Sequence, residues 1–253
     1  MNFKDLKKNW DKFGKTDPYW AILTDPDKKN NQWDVNDFFE TGEREVAILM
    51  NKINSLDVKI PLRKALDFGC GAGRLTQALA IYFYEVHGVD VAPSMIELAR
   101  RHNRRGGKCI YYINEQSSLA LFPNNTFDFI FSIITLQHMH PYYSRKYIRE
   151  FIRVLTPNGL LIFQIPSFPK HLPNTPINKF KLKIINMLPS KIWNLYLKYR
   201  YRYDPQRMEM YGIEKHDVVK ILKKADAKII DIAPDNAATD WIGFRYIVTK
   251  EKY

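Results

Sequence analysis

Cysteine is scarce: Cys70 and Cys109 are the only two in the chain. They are too few for a disulfide framework and too far apart for the short spacings of a metal site. No metal is expected, and a reducing compartment fits best. No stretch is both long and apolar enough to span a bilayer. Internal repeats and low-complexity tracts are absent, which excludes solenoid architectures. The residues Met1-Asn2-Phe3-Lys4-Asp5-Leu6 lack the basic start and apolar run of a secretory signal. A cytoplasmic protein is the expectation, with peripheral membrane contact as the one addition. Acidic residues are also in short supply: 27 Asp and Glu face 39 Lys and Arg, for a net charge of +12. Such a balance draws anionic partners without naming them. With 253 residues, 45% of them hydrophobic, the chain is long enough to bury a sizeable core without staples.

Against these absences one stretch stands out. Lys64-Ala65-Leu66-Asp67-Phe68-Gly69-Cys70-Gly71-Ala72-Gly73-Arg74-Leu75-Thr76 joins a short apolar run to a carboxylate and then to glycines at every second position. This pattern predicts a strand, a tight turn and a helix start where the backbone lies close to a ligand. A dinucleotide fingerprint would want a third glycine or alanine at position 74. Arg74 is too bulky for that role, which argues against an NAD(P) oxidoreductase. A glycine-rich turn without a ligand is the plainer alternative.

The segments that follow alternate strand and helix patterns. Tyr84–Asp90 reads as a second strand ending in a carboxylate, with Asp90 17 residues after Gly73. That is near the distance expected of an acid that accepts from ribose hydroxyls. Pro93-Ser94 starts a helix with Met95, Ile96, Leu98 and Ala99 at helical spacing. Ile110–Ile113 is a third strand, leading into Asn114-Glu115-Gln116. Phe127–Ile134 is a fourth, and Leu136–Met139 follows it. A helix over 143–155 and a turn at Thr156–Gly159 precede a fifth strand over 160–165. Near-continuous apolar strands between helices predict a parallel sheet covered on both faces.

From about residue 60 to 166 this order resembles the class I S-adenosylmethionine (SAM)-dependent methyltransferases. Asp67-x-Gly69-x-Gly71-x-Gly73 stands as their first motif. The resemblance implies a Rossmann-like α/β fold, with a seven-stranded, mostly parallel sheet and an antiparallel last strand. It implies SAM as cofactor and S-adenosylhomocysteine (SAH) as product. Gly69, Gly71 and Gly73 would line the methionine end, and Asp67 would help hold its amino group. Asp90 would bind the ribose diol, Met95 would pack on the adenine face, and Asn114, Glu115 and Gln116 would form the adenine edge. Cys70, Val91 and Ser132 complete the expected cofactor set. The family often has an aspartate where Asn114 stands and a small residue where Glu115 stands. Each residue also has a plainer reading: Met95 as core filler, Asp90 as a helix cap, His138 as a core histidine.

Two additions flank this core. Residues 1–60 carry Trp10, Phe13, Tyr19, Trp20, Trp33, Phe38 and Phe39 among turn signals, with a helix expected from about Asp34 through Asn54. The segment from Trp10 to Leu23 resembles the lid-like N-termini of small-molecule methyltransferases. Residues 167–211 hold nine basic residues against Asp204 and Glu209, so seven of the twelve net positive charges sit there. Aromatic and aliphatic residues are interspersed, and Pro189 separates two expected helices. This insertion reads as a substrate cap for an acidic small molecule or glycan. A lipid-linked acceptor or membrane surface is a second reading, through 177–203, and a nucleic-acid backbone trails it. The last part, 212–253, is expected to add a helix and a strand pair to the core of 61–166.

The expected activity is methyl transfer to an oxygen or nitrogen of a small molecule or sugar. His138 is the first candidate for a base, with His140, His171 and Tyr211 behind it. The rival of a different class is a SAM-binding protein without catalysis.

Overall fold

The computed structural model describes residues 2–56, 58–173, 175–187, 208–237 and 240–250. Seven strands form one sheet in the order β3-β2-β1-β4-β5-β7-β6. They are β1 (Lys64–Phe68), β2 (Glu85–Asp90), β3 (Cys109–Ile113), β4 (Phe127–Ser132), β5 (Leu155–Pro169), β6 (Ala227–Asp235) and β7 (Trp241–Lys250). The first five pair in parallel, and β7 runs antiparallel between β5 and β6. This is the Rossmann-like sheet that the sequence implied. The strand order reverses between β1 and β4, and in open α/β sheets a crevice forms at the carboxyl ends beside such a point.

The described helices are α1 (Phe3–Thr16), α2 (Pro18–Ile22), α3 (Val35–Asn54), α4 (Arg74–Leu79), α5 (Pro93–Arg101), α6 (Pro141–Val154), α7 (Pro176–Met187) and α8 (Lys215–Lys224). The start of α3 is set by Asp34, whose carboxylate accepts from the N–H groups of Asn36 and Asp37 at 2.7 and 3.1 Å. Its Phe38, Val46, Leu49 and Ile53 recur at helical spacing and are buried. The beginning of α6 is fixed by Pro141 at its first position and by His140, which accepts from Tyr142 N–H.

The central strands are buried on both faces, which explains their unbroken apolar runs. Leu66, Phe68 and Ile130 share a core with Tyr147 and Phe151 of α6 and Val218 and Leu222 of α8. Ala65, Phe129 and Phe131 share the other core with Val46 and Leu49 of α3 and Leu79 of α4.

Three details depart from the sequence expectations. Strand β5 starts at Leu155, not 160, because Asn158 takes a left-handed conformation and the turn is absorbed as a register shift opposite Phe127 and Phe129. Strand β4 ends at Ser132 and not at Ile134, and a 3-10 turn over Leu136–His138 follows it. Only the first of the two helices expected in 167–211 is described, as α7; the one after Pro189 lies outside the described residues.

Candidate active site

The loop after β1 needs glycine for steric reasons that the structure makes explicit. Gly69, Gly71 and Gly73 have φ of +81, +51 and +84°, a region that L side chains enter only with strain. A Cβ on Gly69 would also lie 2.2 Å from the Thr135 side chain, and one on Gly71 would lie 2.7 Å from Ile22. Asp90 at the end of β2 ties the loop down. Its carboxylate accepts from the N–H groups of Gly71 and Ala92, each at 2.9 Å. Burial pushes the Asp90 carboxyl above its ordinary value, and these backbone donors pull it back.

Gly69, Cys70, Gly71 and Arg74 form one wall of a cavity at the carboxyl edge of the sheet. Asp90, Val91, Met95 and Asn114 form the second wall, and Ile134, Thr135, His138 and Met139 the third. Phe3, Leu6 and Trp10 of α1, with Ala21 and Ile22 of α2, close the fourth side. The N-terminal helices are therefore part of the site. Asp11 anchors them: its Oδ1 accepts from Ser94 N–H at 2.9 Å, and its carbonyl accepts from the Ser94 hydroxyl at 2.8 Å.

Five of the expected residues stand away from the cavity wall, each for a visible reason. Asp67 is buried behind the loop, where its carboxylate accepts from the Thr76 hydroxyl at 2.6 Å. Burial pushes that carboxyl up to about 7, against the pull of Thr76 and Arg74. Gly73 faces Tyr111, whose hydroxyl oxygen would stand 2.6 Å from a Cβ there. The Ser132 hydroxyl donates to the Phe68 carbonyl at 3.0 Å and joins β4 to β1. Glu115 forms a surface ion pair with Lys7 of α1. The Gln116 carbonyl accepts from the Tyr147 hydroxyl at 2.6 Å. Asn114 reaches the cavity, but its side-chain amide donates to the Ser118 carbonyl at 2.9 Å and to Tyr147 Oη at 3.3 Å.

His138 corrects the expectation of a free base. Its Nδ1–H donates to the Glu209 carbonyl at 3.0 Å, and its Nε2 accepts from the Gln137 amide at 3.2 Å. Gln137 Oε1 in turn accepts from Gln164 at 3.3 Å, and Gln164 Oε1 accepts from Ile134 N–H at 3.2 Å. All four bonds run in one direction, which fixes the tautomer. Burial lowers the ring's pKa to about 4, although the bond to Glu209 opposes the shift. The imidazole is neutral at pH 7, and both nitrogens are engaged. His140 caps α6 and faces the Tyr211 ring at 5.7 Å.

Sequence reasoning passed over Ile134 and Arg74. Ile134 sits at φ +55°, a genuine outlier for a β-branched residue, and such strain gathers at functional sites. No sequence pattern announces it. Arg74 borders the cavity at only 3% exposure, held by Glu45 Oε2 at 2.8 Å and Thr41 Oγ1 at 3.3 Å. Its Nε is buried with no hydrogen-bond partner in the protein. Glycines that leave no room for a Cβ, a carboxylate at a strand end and a buried guanidinium with a spare donor together suit SAM, which carries a diol, an ammonium and a carboxylate.

The strand order, the glycine loop and Asp90 are those of the class I, SAM-dependent methyltransferase fold. Residues 66–163 match the family described as "Methyltransferase domain". Among curated relatives, the ubiquinone biosynthesis O-methyltransferase of Cereibacter sphaeroides (strain KD131 / KCTC 12085) is 30% identical over 99 residues, which is 39% of this chain and 39% of that protein. The chain thus spans about two fifths of that relative's length. Magnesium protoporphyrin IX methyltransferase from Synechocystis PCC 6803, solved with bound SAH, superposes with a TM-score of 0.61 at 16% identity, covering 99% of this chain and 100% of that one. The [4+2]-cyclase SpnF superposes at 0.57 and 16% identity over 81% of this chain and 82% of its own. At these identities the structural likeness establishes the fold. Among the described residues, no helix is long and apolar enough to cross a membrane.

Proposed function

We propose that this protein is a methyltransferase that moves the SAM methyl group to an oxygen or nitrogen of a small-molecule acceptor. One observation carries the reading: Gly69, Gly71, Asp90 and Met95 border the same cavity as His138 and Met139, so one cavity offers places for both cofactor and acceptor. Gly69 and Gly71 would lie along the methionine moiety, Asp90 would accept from the ribose hydroxyls, and Met95 would cover the adenine. Bound there, SAM supplies a methyl carbon on a sulfonium that is its own leaving group. The chain's part is to align the acceptor with that carbon and exclude water.

The walls narrow the acceptor class. Phe3, Leu6, Trp10, Ile134 and Met139 are apolar, which favours an acceptor with an apolar ring or chain beside its nucleophile. A neutral imidazole of pKa about 4 is too weak a base for an aliphatic hydroxyl. We therefore assign His138 a positioning role. An acidic O–H, such as that of a phenol or carboxylic acid, or a neutral amine, fits better than a sugar hydroxyl. The O-methyltransferase name of the curated relative supports the oxygen alternative.

Thermal shift with SAM, SAH and NAD, followed by transfer of a labelled methyl group from SAM into extract fractions, tests the proposal. SAM and SAH should raise Tm while NAD leaves it unchanged, and label should enter a low-molecular-mass fraction. A Tm insensitive to SAM and SAH would overturn the cofactor reading. Binding without transfer to any fraction would favour the non-catalytic rival, and the cyclase shows that the fold serves other chemistry.

A second reading concerns where the acceptor is met. Helix α7 exposes Ile177, Phe180 and Ile184 at i, i+3 and i+7, with Lys181 exposed beside them. Together with the basic excess of 167–211, this supports an acceptor presented at an anionic lipid surface. Flotation with anionic vesicles, lost in high salt and absent with neutral ones, is the expected result; no binding to either leaves a dissolved acceptor.

A further inference from the structure

We propose that Gln164 is a positioning residue of the cofactor site: its side-chain amide holds Ile134 in the left-handed conformation that builds one wall of the cavity. The inference rests on the cofactor reading above. It gives a role to a residue that does not itself border the cavity.

Gln164 is the one polar residue in the run Leu160-Leu161-Ile162-Phe163-Gln164-Ile165 of β5, and it is completely buried. An amide in such a place costs free energy unless its bonds are made. Leucine would fill a similar space without that cost, so what the amide contributes is its bonds. Its Oε1 accepts from Ile134 N–H at 3.2 Å, and its Nε2 donates to Gln137 Oε1 at 3.3 Å.

Ile134 needs such a hold. At φ +55° its branched side chain crowds the backbone, where asparagine or glycine would sit with less strain. Strain of this kind persists only where the surroundings over-determine it. Among the described residues, Gln164 is the only side chain that hydrogen-bonds the Ile134 backbone, and it does so from a neighbouring strand.

The held stretch belongs to the site. Ile133, Ile134, Thr135 and His138 all border the cavity. Thr135 presses on the glycine loop, since a Cβ on Gly69 would lie 2.2 Å from its side chain. Relaxation of Ile134 to a right-handed or extended conformation would redirect the chain one residue before Thr135. The wall that meets Gly69 would move with it.

A double-mutant cycle on the full chain, read by calorimetry with SAH, tests the assignment. Gln164→Leu should weaken SAH binding about tenfold in the wild-type background. With Ile134→Asn already present the same change should cost less than about threefold, because asparagine tolerates the left-handed conformation unaided. A glutamine that only completes the core would give equal losses in both backgrounds. That result, or no loss in the wild-type background, would overturn the proposal. Should Gln164→Leu fail to fold, amide hydrogen exchange of the wild type decides. Exchange at Ile134 requires its bond to Gln164 to open, so bound SAH should slow it at least about tenfold; an unchanged rate counts against Gln164. If the wild type does not bind SAH, the cofactor reading itself has failed, which is a separate outcome.

Discussion

Asp11 and Ser94 meet at two points, side chain to backbone in both directions, although 83 residues of chain separate them. The Asp11 carboxylate thereby serves the first turn of α5 from another helix. Gly14, one turn further along α1, lies so close that a Cβ would sit 2.2 Å from Ser94 Oγ. Asp11→Ala should cost about 1 kcal/mol, as loss of a helix cap does, and lower Tm by roughly 2–4 °C. SAH binding should weaken as well, although Asp11 is not on the cavity wall. Paired melting curves and calorimetry check this; unchanged SAH affinity would mean that α1 is no working part of the site.

Asp90 both anchors the loop and faces the ligand. Asp90→Ala should weaken SAM binding by about 1–3 kcal/mol through loss of a charged acceptor. It should also lower Tm in the absence of ligand, because Gly71 and Ala92 lose their acceptor. The two N–H contacts thus give this strand-end carboxylate a structural role beside its place at the ligand. Calorimetry and an apo melting curve read the two effects separately.

Ile134 and Ile133 are adjacent, yet they should respond oppositely to the same change. Ile133 is buried, so Ile133→Asn should cost about 3 kcal/mol or more. At 134, asparagine tolerates the left-handed conformation, and the relieved strain of about 1–2 kcal/mol offsets the lost apolar contact. Ile134→Asn should leave Tm near that of the wild type. Equal losses at the two positions would show that no strain is stored at 134.

Asp67 and His138 give pH dependences of opposite sign. The Asp67 carboxyl titrates near 7 in the folded protein and near 3.8 as an unperturbed group. Between those values the folded state holds the extra proton, so this contribution to stability falls as pH rises. For His138 the folded value is about 4 against 6.5. There the unfolded chain holds the extra proton, and the contribution is lost as pH falls from 6.5 to 4. Asp67→Asn should gain on the wild type from pH 4 toward 8, and His138→Gln should gain from pH 7 toward 4. Melting curves across pH measure both; parallel profiles would refute the assigned shifts.

The sheet was legible because its signals are local. Unbroken apolar strands, glycines at alternate positions and Asp90 at a strand end all follow from neighbours in sequence. Asp34 marked the start of α3, and the helix expected from 143 begins two residues earlier, at Pro141. What escaped depends on distant partners. The roles of Asp67, Gly73 and Ser132 are decided by Thr76, Tyr111 and Phe68, and their types alone fit either a ligand or a packing role. His138 looked like a base because its type allows it; Glu209, 71 positions away, and Gln137 beside it take its two nitrogens. Ile134 carried no signal, since strain is a property of the fold and not of the residue.

The contact between α1 and α5 also sets an order of events in the life of the chain. The ribosome releases the helix that completes the cavity well before the helix that receives it. Until α5 and then His138 have emerged, Trp10 and Phe13 lack Ala92, Met95 and the His138 ring, and a long loop must close before they find them. The wall of the site is thus made early and placed late. Its apolar residues spend that interval exposed to other chains, where a chaperone would find a ready handle.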